Sequence, residues 1–494
     1  MDPCVNQRPI RFVHRGAIVE VEGLPPTTSV LAWLREQAGR TGTKEGCNEG
    51  DCGACTVMLG RLDGGDALRW HSVNACLQFL PCLDGHALRT VEDLPADHPA
   101  QRAMVEHHGS QCGFCTPGFV VSLAALYINR PLRPARREIA DALSGNLCRC
   151  TGYRPILDAG EAMYAAPRLA GDDADTWAAL KALQADPPLD YSAHNPATGA
   201  SERFLAPRTL DTLAEAAAAQ PEATLLAGGT DIGLWANKQF RPLPLLLSVN
   251  AVPDLKRIDE ADGVLHIGAG ASLEDAWAAL AERLPDLREL WLRFASPPVR
   301  HAGTMGGNLA NGSPIGDTAP VLLALDARLL LRRGRLERTL PLDSFYTGYM
   351  QNQRQPGELL VDIEVPLPGA ATRLRTYKLS KRYDCDISAL ACGLALTLDG
   401  DSVTDPRFAF GGLAAMPRRA PAAEAAVRGQ AWTQATAHAA AAALGQDFAP
   451  LTDLRGSSAY RLRSAQALLQ RFWLETRPLD PLPPSATRVW ESLA

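Results

Sequence analysis

No stretch of about 18 apolar residues, the length a bilayer-crossing helix needs, occurs anywhere in this 494-residue chain. Met1 to Gly16 is polar and broken by Pro3 and Pro9, so the apolar core of a secretory leader is missing as well. Basic charge is not in surplus either. The 49 Lys and Arg stand against 55 Asp and Glu, a formal charge of −6, and no Lys/Arg run is interleaved with aromatics as a nucleic-acid groove requires. These absences argue against membrane and nucleic-acid partners and lead to the expectation of a cytoplasmic protein. Fixed-period repeats are lacking, which sets repeat architectures aside. The Ala-rich run near Ala435–Leu444 reads as a packing helix, because alanine adds little apolar area and His438 interrupts it.

What the chain does have is cysteine in a pattern. Apolar residues at 46% and charged residues at 21% are ordinary for a protein with real cores. The length suits about three or four domains, at roughly 150 residues each. In a reducing compartment thiols persist as ligands or nucleophiles rather than disulfides, so metal binding is the default reading of twelve cysteines. Eight of them form two unlike quartets. Cys47, Cys52 and Cys55 with the remote Cys76 have the spacing of a plant-type [2Fe–2S] ferredoxin. Gly46, Gly50 and Gly53 let the loop turn sharply and aim N–H groups at an anionic cluster. In the second quartet, Cys112 and Cys115 precede a helix start at Pro117, and Cys148 and Cys150 precede another at Pro155. Two helix N-termini then favour one anion. Zinc is the rival for this second quartet, although the single residue between Cys148 and Cys150 is shorter than a zinc ribbon's usual gap. Cys4, Cys82, Cys385 and Cys392 read as isolated thiols.

The linkers divide the chain into a β-rich unit over 8–94, a helical one over 95–170, a linker over 171–199, and further domains over 200–370 and 371–480. The linker reading rests on Asp172, Asp173, Asp175, Asp186 and Asp190 against a single Lys181, with three prolines and a helical patch at Thr176–Gln184. Two Gly-rich turns lie beyond it, Leu225 to Asp231 and Gly303 to Asn308. Neither matches the dinucleotide fingerprint, so a conventional Rossmann domain is not supported. Close-set glycines still let a backbone approach a pyrophosphate, and two one-electron clusters call for a cofactor that exchanges electron pairs with single electrons, which flavin does.

As a set, the ferredoxin loop, Gln111 to Gly118, Asn146 to Tyr153 and Gly228 to Asp231 resemble the xanthine dehydrogenase branch of the molybdenum hydroxylase family over nearly the whole chain. The resemblance implies an α+β multidomain chain: a β-grasp ferredoxin-like domain, a helical [2Fe–2S] domain, an α+β FAD-binding domain and an α/β C-terminal flavoprotein domain. It implies an NAD-dependent oxidoreductase small subunit with two [2Fe–2S] clusters and FAD. Its partner would be a molybdopterin-binding large subunit in an α2β2 heterotetramer, where hypoxanthine or xanthine is hydroxylated. No substrate-oxidising residue is then expected on this chain. Cys112, Cys115, Cys148 and Cys150 would hold the cluster nearer molybdenum, and Cys47, Cys52, Cys55 and Cys76 the one nearer FAD. FAD would meet Leu225, Leu226, Ala227, Gly228, Gly229, Thr230, Asp231, Ile232, Phe294, Thr304, Met305, Gly306, Gly307, Asn308, Asp317, Leu360 and Lys378. Tyr349 and Lys381 to Asp386 resemble the region that receives NAD+, with Cys385 standing where NAD-using relatives often have an acid. A related aldehyde or aromatic-substrate hydroxylase, or a non-catalytic redox adaptor, is the alternative.

Overall fold

The computed structural model of the protein describes residues 7–63, 67–165, 168–169 and 173–487; Cys4 and the first residues of the expected linker, including Asp172, lie outside them. The chain forms two compact units. One runs to Asp254 and takes in Ser272–Glu274 and Ala295–Thr304; the other holds Leu255–Ala271, Asp275–Phe294 and the chain from Met305 onward.

The first unit begins with strands β1 (Ile10–His14) and β2 (Ala17–Val21), paired antiparallel. A helix follows where one is expected: the Ser29 hydroxyl accepts from the Ala32 N–H, and α1 (Val30–Ala32) widens into a π-helical turn over Trp33–Gln37. Strands β3 (Thr56–Asp63), β4 (Ala67–Asn74) and β5 (Ala87–Arg89) complete a sheet of order β2-β1-β5-β3-β4, with β1 and β5 parallel. Ile10, Phe12, Val30, Leu34 and Val57 are wholly buried between helix and sheet. That is the grasp that presents the loop 42–55 at one end.

Four helices follow: α2 (Pro99–Glu106), α3 (Thr116–Asn129), α4 (Arg136–Ala142) and α5 (Arg154–Ala162). Along α3, Phe119, Val121, Leu123 and Ala124 are all but fully buried, so this helix is the centre about which the others pack.

The segment expected to be a linker is instead structured. It carries α6 (Ala174–Leu183) and β6 (Leu189–Asn195), the latter paired along its length with β7 (Ala200–Ala206). Leu180 and Leu183 are buried in the core that holds α3. The acidic excess that suggests a solvated chain is neutralised by distant partners. Asp173 pairs with Arg89 and accepts from Trp70 Nε1 at 3.0 Å, Asp186 accepts from Arg11 at 2.6 Å, and Asp190 accepts from Arg203 at 2.6 Å.

Beyond it come α7 (Leu210–Ala219), β8 (Thr224–Leu226), α8 (Ile232–Asn237) and β9 (Leu245–Ser248), giving a small sheet of order β6-β7-β9-β8. Phe204, Leu226 and Leu246 join the same core as Val30, Leu77 and Phe79 of the ferredoxin-like part. The region expected as one domain over 200–370 is therefore divided: residues to 254 share a core with the ferredoxin-like fold, and most of the rest belongs to the second unit.

In the second unit an antiparallel sheet pairs 258–261, 264–268, 359–366, 328–333 and 336–341 in that order. A second antiparallel sheet, 372–379, 390–399, 402–411 and 418–419, is backed by helices 421–427, 434–447 and 458–476. The Ala-rich helix packs Ala437, Ala440, Ala441 and Leu444 into this core, as its composition suggests. Among the described residues no helix is long and apolar enough to cross a membrane.

Burial of α6 has a measurable consequence. Leu180, 2% exposed, is expected to cost about 2–4 kcal/mol of the first unit's stability when cut to alanine, as a core leucine does. Urea unfolding of Leu180→Ala checks this; a shift within about 0.5 kcal/mol would instead mark a solvated linker.

Candidate iron–sulfur and flavin sites

The first quartet sits on the loop entering β3 and just after β4. Cys55 lies beside the start of β3 and Cys76 two residues past Asn74, and their sulfurs are 3.3 Å apart. Cys47 and Cys52 face each other across the loop, each sulfur accepting the other's backbone N–H, at 3.3 and 3.4 Å. The thiols thus form two pairs. In each, one proton is shared. The hydrogen bond from the Cys52 side chain outweighs burial and, with backbone N–H groups, brings Cys47 down to about 5, while Cys47 and burial push Cys52 up. Cys55 is likewise lowered by the Cys76 side chain, and Cys76 raised by Cys55 and burial.

The second quartet repeats the pairing at two helix starts. Cys115 is the N-cap residue of α3, and Tyr153, in the left-handed region at φ 69°, leads into α5. Burial pushes Cys115 up to about 12, helped by the side chain of Cys148. Burial also acts on Cys148, but the hydroxyl and N–H of Thr151, at 3.2 and 3.5 Å, outweigh it and hold that thiol below its usual value. Cys150 is raised by its hydrogen bond to Cys112.

Pairs of sulfurs suit two tetrahedral irons, each taking two thiolates, better than one central ion. Among the described residues no three His, Cys, Asp or Glu side chains gather where a single metal ion would sit, so the zinc alternative finds no preformed site. The donor set also fits the charge of a cluster. Asn74 Nδ2 points at Cys55 sulfur from 3.9 Å, and Tyr153 OH accepts the Cys148 N–H at 3.2 Å. Thr151 and Tyr153 stand in the quoted motif, but their contacts with Cys148 depend on the left-handed turn that its letters do not reveal; Asn74 gave no signal at all.

The quartets differ in exposure. Cys55 and Cys76 are buried, whereas Cys112 and Cys150 are exposed, in the company of exposed Phe114, Leu147 and Tyr153. Of the remaining thiols, Cys82 and Cys385 are half-buried and Cys392 lies in the C-terminal core.

The residues expected at FAD fall in both units. In the first, Leu225 and Leu226 end β8, Ala227 to Asp231 form the loop, and Ile232 opens α8. Gly229 has φ 69°, and a Cβ on Gly228 would collide with the Ala302 carbonyl, so these glycines serve close packing against the chain itself. The loop remains suited to an anion: the N–H groups of Gly228, Gly229 and Thr230 donate to no acceptor among the described residues. The Gln78 amide holds the Gly228 carbonyl at 3.0 Å, and Asn237 Nδ2 reaches the Cys76 carbonyl at 2.8 Å. The flavin-type loop and the ferredoxin quartet are thus tied together by two side chains that sequence reading did not single out. Thr304 is buried and bridges to Ser272.

In the second unit, Met305 to Asn308 form the first turn of helix 305–311, with Met305 and Gly306 buried and Gly307 exposed. The Gly306 N–H donates to the Ala269 carbonyl at 2.9 Å. Phe294 packs on Trp277, ring centroids 6.3 Å apart, as a core aromatic, and Leu360 lies buried in strand 359–366 opposite Leu331. Lys378 is no solvated lysine. Its Nζ donates to Asp317 Oδ2 at 2.6 Å and to Ser388 Oγ at 2.8 Å, while Ser388 donates to Asp317 Oδ1 at 2.6 Å, all three residues being at most 4% exposed. Next to Asp317, the buried Thr318 hydroxyl has no hydrogen-bond partner, an open valence that a bound polar group could satisfy. Tyr349 is exposed, and in the loop after it in sequence Arg382 binds the Cys385 carbonyl and Asp386, so the one acid beside Cys385 on that side is already engaged.

Comparison with known proteins agrees with this layout. Four family models match in succession: a 2Fe-2S iron-sulfur cluster binding domain over 12–81, a [2Fe-2S] binding domain over 90–161, an FAD binding domain in molybdopterin dehydrogenase over 199–368, and a CO dehydrogenase flavoprotein C-terminal domain over 375–476. Xanthine dehydrogenase of Drosophila subobscura is 33% identical over 83% of this chain and 35% of its own length. Aldehyde oxidase 2 of Cavia porcellus is 30% identical over 94% of this chain and 39% of its own. The chain thus spans little more than a third of these relatives. A chain of carbon monoxide dehydrogenase from Hydrogenophaga pseudoflava is 31% identical with a TM-score of 0.52, covering 54% of this chain and 94% of that one. Two [2Fe–2S] domains and a flavin-binding domain are therefore carried on one polypeptide.

The buried Lys378–Asp317 pair can be checked directly. Lys378→Met leaves a carboxylate buried without its cation and is expected to cost about 3–5 kcal/mol, with Lys378→Met/Asp317→Asn recovering much of it. Denaturation of the three proteins measures this; a loss below about 1 kcal/mol would place the lysine among solvated ones.

Proposed function

Because the chain belongs to the molybdenum hydroxylase family, as its iron–sulfur and flavin part, we propose that it is the electron-transfer subunit of a xanthine dehydrogenase. Hypoxanthine or xanthine is hydroxylated at a molybdopterin centre on a partner chain, and the electrons leave through this one to NAD+. Cys112, Cys115, Cys148 and Cys150 hold the cluster at which electrons enter, and Cys47, Cys52, Cys55 and Cys76 hold the next. FAD is taken up by Leu225 to Ile232, Phe294, Thr304 to Asn308, Asp317, Leu360 and Lys378. It supplies the exchange between single electrons and a hydride.

The observation that carries this reading is the polarity of the first unit. Exposed Cys112 and Cys150, rimmed by Phe114, Leu147 and Tyr153, suit docking of an electron-donating partner over the entry cluster. Buried Cys55 and Cys76 lie instead beside the flavin-type loop, through Gln78 and Asn237. The surrounding side chains keep thiols paired and donors aimed at sulfur, which is the task of an electron carrier rather than of a site that makes and breaks substrate bonds. A heterotetramer with the molybdopterin chain, in the cytoplasm, is the assembly this reading entails.

Likeness to an aldehyde oxidase and to a carbon monoxide dehydrogenase favours one second reading, the same electron-transfer role beside a partner with another substrate. One experiment separates them. The complex co-purified with its molybdopterin chain is reduced with xanthine in a stopped-flow instrument and mixed with NAD+ or oxygen. We expect about four irons and one flavin per chain of this type, reduction by xanthine, and faster flavin reoxidation by NAD+ than by oxygen. Reduction by an aldehyde and not by xanthine selects the second reading; fast oxidation by oxygen with none by NAD+ removes the dehydrogenase assignment.

A further inference from the structure

Within the first unit the two cysteine loops meet along a seam of bare backbone held by one side chain. The Leu147 N–H donates to the Cys52 carbonyl at 3.0 Å. Its neighbour Asn146, 4% exposed, donates from Nδ2 to the Gly53 carbonyl at 3.1 Å and to Thr56 Oγ1 at 3.3 Å. The Ser122 hydroxyl, from α3, donates back to Asn146 Oδ1 at 2.7 Å. The amide thus uses both its hydrogens and its oxygen, and it touches the loop between Cys52 and Cys55, the start of β3 and α3 at once. No larger residues fit here. A Cβ on Gly53, whose φ is 68°, would collide with the Gly145 carbonyl, and one on Gly118 would collide with the Gly53 carbonyl.

We propose that this seam conducts electrons between the two clusters and that Asn146 is its positioning residue. The inference rests on the reading that the two quartets hold [2Fe–2S] clusters. From Cys148 the path runs through its own backbone to Leu147, crosses one hydrogen bond to the Cys52 carbonyl, and continues through Cys52 to its sulfur. Tunnelling decays less steeply through bonded atoms than across a gap, so conduction depends on keeping that one hydrogen bond short. Leu147 and Cys52 cannot ensure this alone, because their loops belong to different folds. Asn146 pins the loops together one residue away on each side. The step moves a single electron, oxidising the cluster at Cys148 and reducing the one at Cys52. No bond forms or breaks, and no proton moves, since amide, hydroxyl and peptide groups do not titrate here. The donor cluster is loaded by the substrate-reduced partner, or in a test by a pulse-generated one-electron reductant.

The full chain carrying both clusters is the material for the test, with Asn146→Leu and the milder Ser122→Ala, which removes one hydrogen bond and leaves both donors of Asn146. After pulse reduction, Asn146→Leu is expected to equilibrate electrons between clusters about fivefold to tenfold more slowly, the population shift that one or two lost hydrogen bonds produce. Ser122→Ala is expected to be slower by about twofold to threefold. Both should keep the iron content and the g values of each reduced cluster, while the spin–spin splitting between clusters weakens in Asn146→Leu. Wild-type rates in both variants overturn the proposal, as does a slowing explained wholly by a shifted reduction potential of either cluster. If Asn146→Leu loses a cluster, Ser122→Ala decides alone, and a wild-type rate there overturns the proposal. A wild-type chain lacking two distinct reduced [2Fe–2S] signals fails earlier and removes the underlying cluster reading instead.

Discussion

Crowding thiols that must act as anions is the constraint from which the first unit is built. Four thiolates brought within bonding distance of one cluster repel one another, and burial raises the cost of each charge. Protein groups offset this with N–H and O–H donors rather than with cations. The sulfurs of Cys47 and Cys52 take each other's backbone N–H, Cys148 takes the hydroxyl and N–H of Thr151, and Asn74 is aimed at Cys55. Such donors are neutral and fixed. They lower the charge penalty without introducing a mobile side chain that would have to be ordered each time the cluster changes oxidation state.

The same constraint explains which parts of the molecule were legible beforehand. Cysteine spacing, the glycines near it and the prolines at helix starts are local features, and the loops and helices they announce are where the sequence puts them. The supposed linker was misread for the opposite reason. Its acidic residues suggest a solvated chain only while their partners are unknown, and Arg89, Arg11 and Arg203 stand 84, 175 and 13 residues from the acids they meet. Alternating apolar positions, Leu189, Tyr191 and the paired Leu180 and Leu183, carried the correct signal but were outweighed by charge and proline. Phe204 and Leu246 sharing a core with Val30 and Phe79 is likewise a matter of tertiary packing, and no boundary cue in the chain announces that the flavin-domain region divides.

Glycine taught a related lesson. Density of glycine beside a strand end suggested a backbone opened for pyrophosphate, yet Gly228 and Gly306 first of all let segments of the protein approach one another, at Ala302 and Ala269. Both roles come from the absence of a Cβ. The two are compatible in the 228–230 loop, where packing on one side leaves N–H groups without protein acceptors on the other. Lys378 shows the converse: a charged residue that composition assigns to the surface is among the most buried in its unit, because Asp317 and Ser388 satisfy it completely.

Electron transfer places demands on a fold that binding a substrate does not. A substrate site can tolerate side chains that swing in and close, whereas a carrier must hold its centres at fixed spacing through every redox state. The seam at Gly53, Gly118 and Asn146 meets that demand by removing side chains from the contact and spending one fully satisfied amide to hold it. Gln78 and Asn237 do the same on the flavin-loop side, each reaching a backbone carbonyl next to the element it fixes. Entry is the exception. Around Cys112 and Cys150 the protein leaves sulfur and apolar side chains open to solvent, a surface that makes sense only if another macromolecule completes it. Rigidity inside and incompleteness at one face are thus two consequences of one task, to receive electrons from elsewhere and pass them on through a path that does not move.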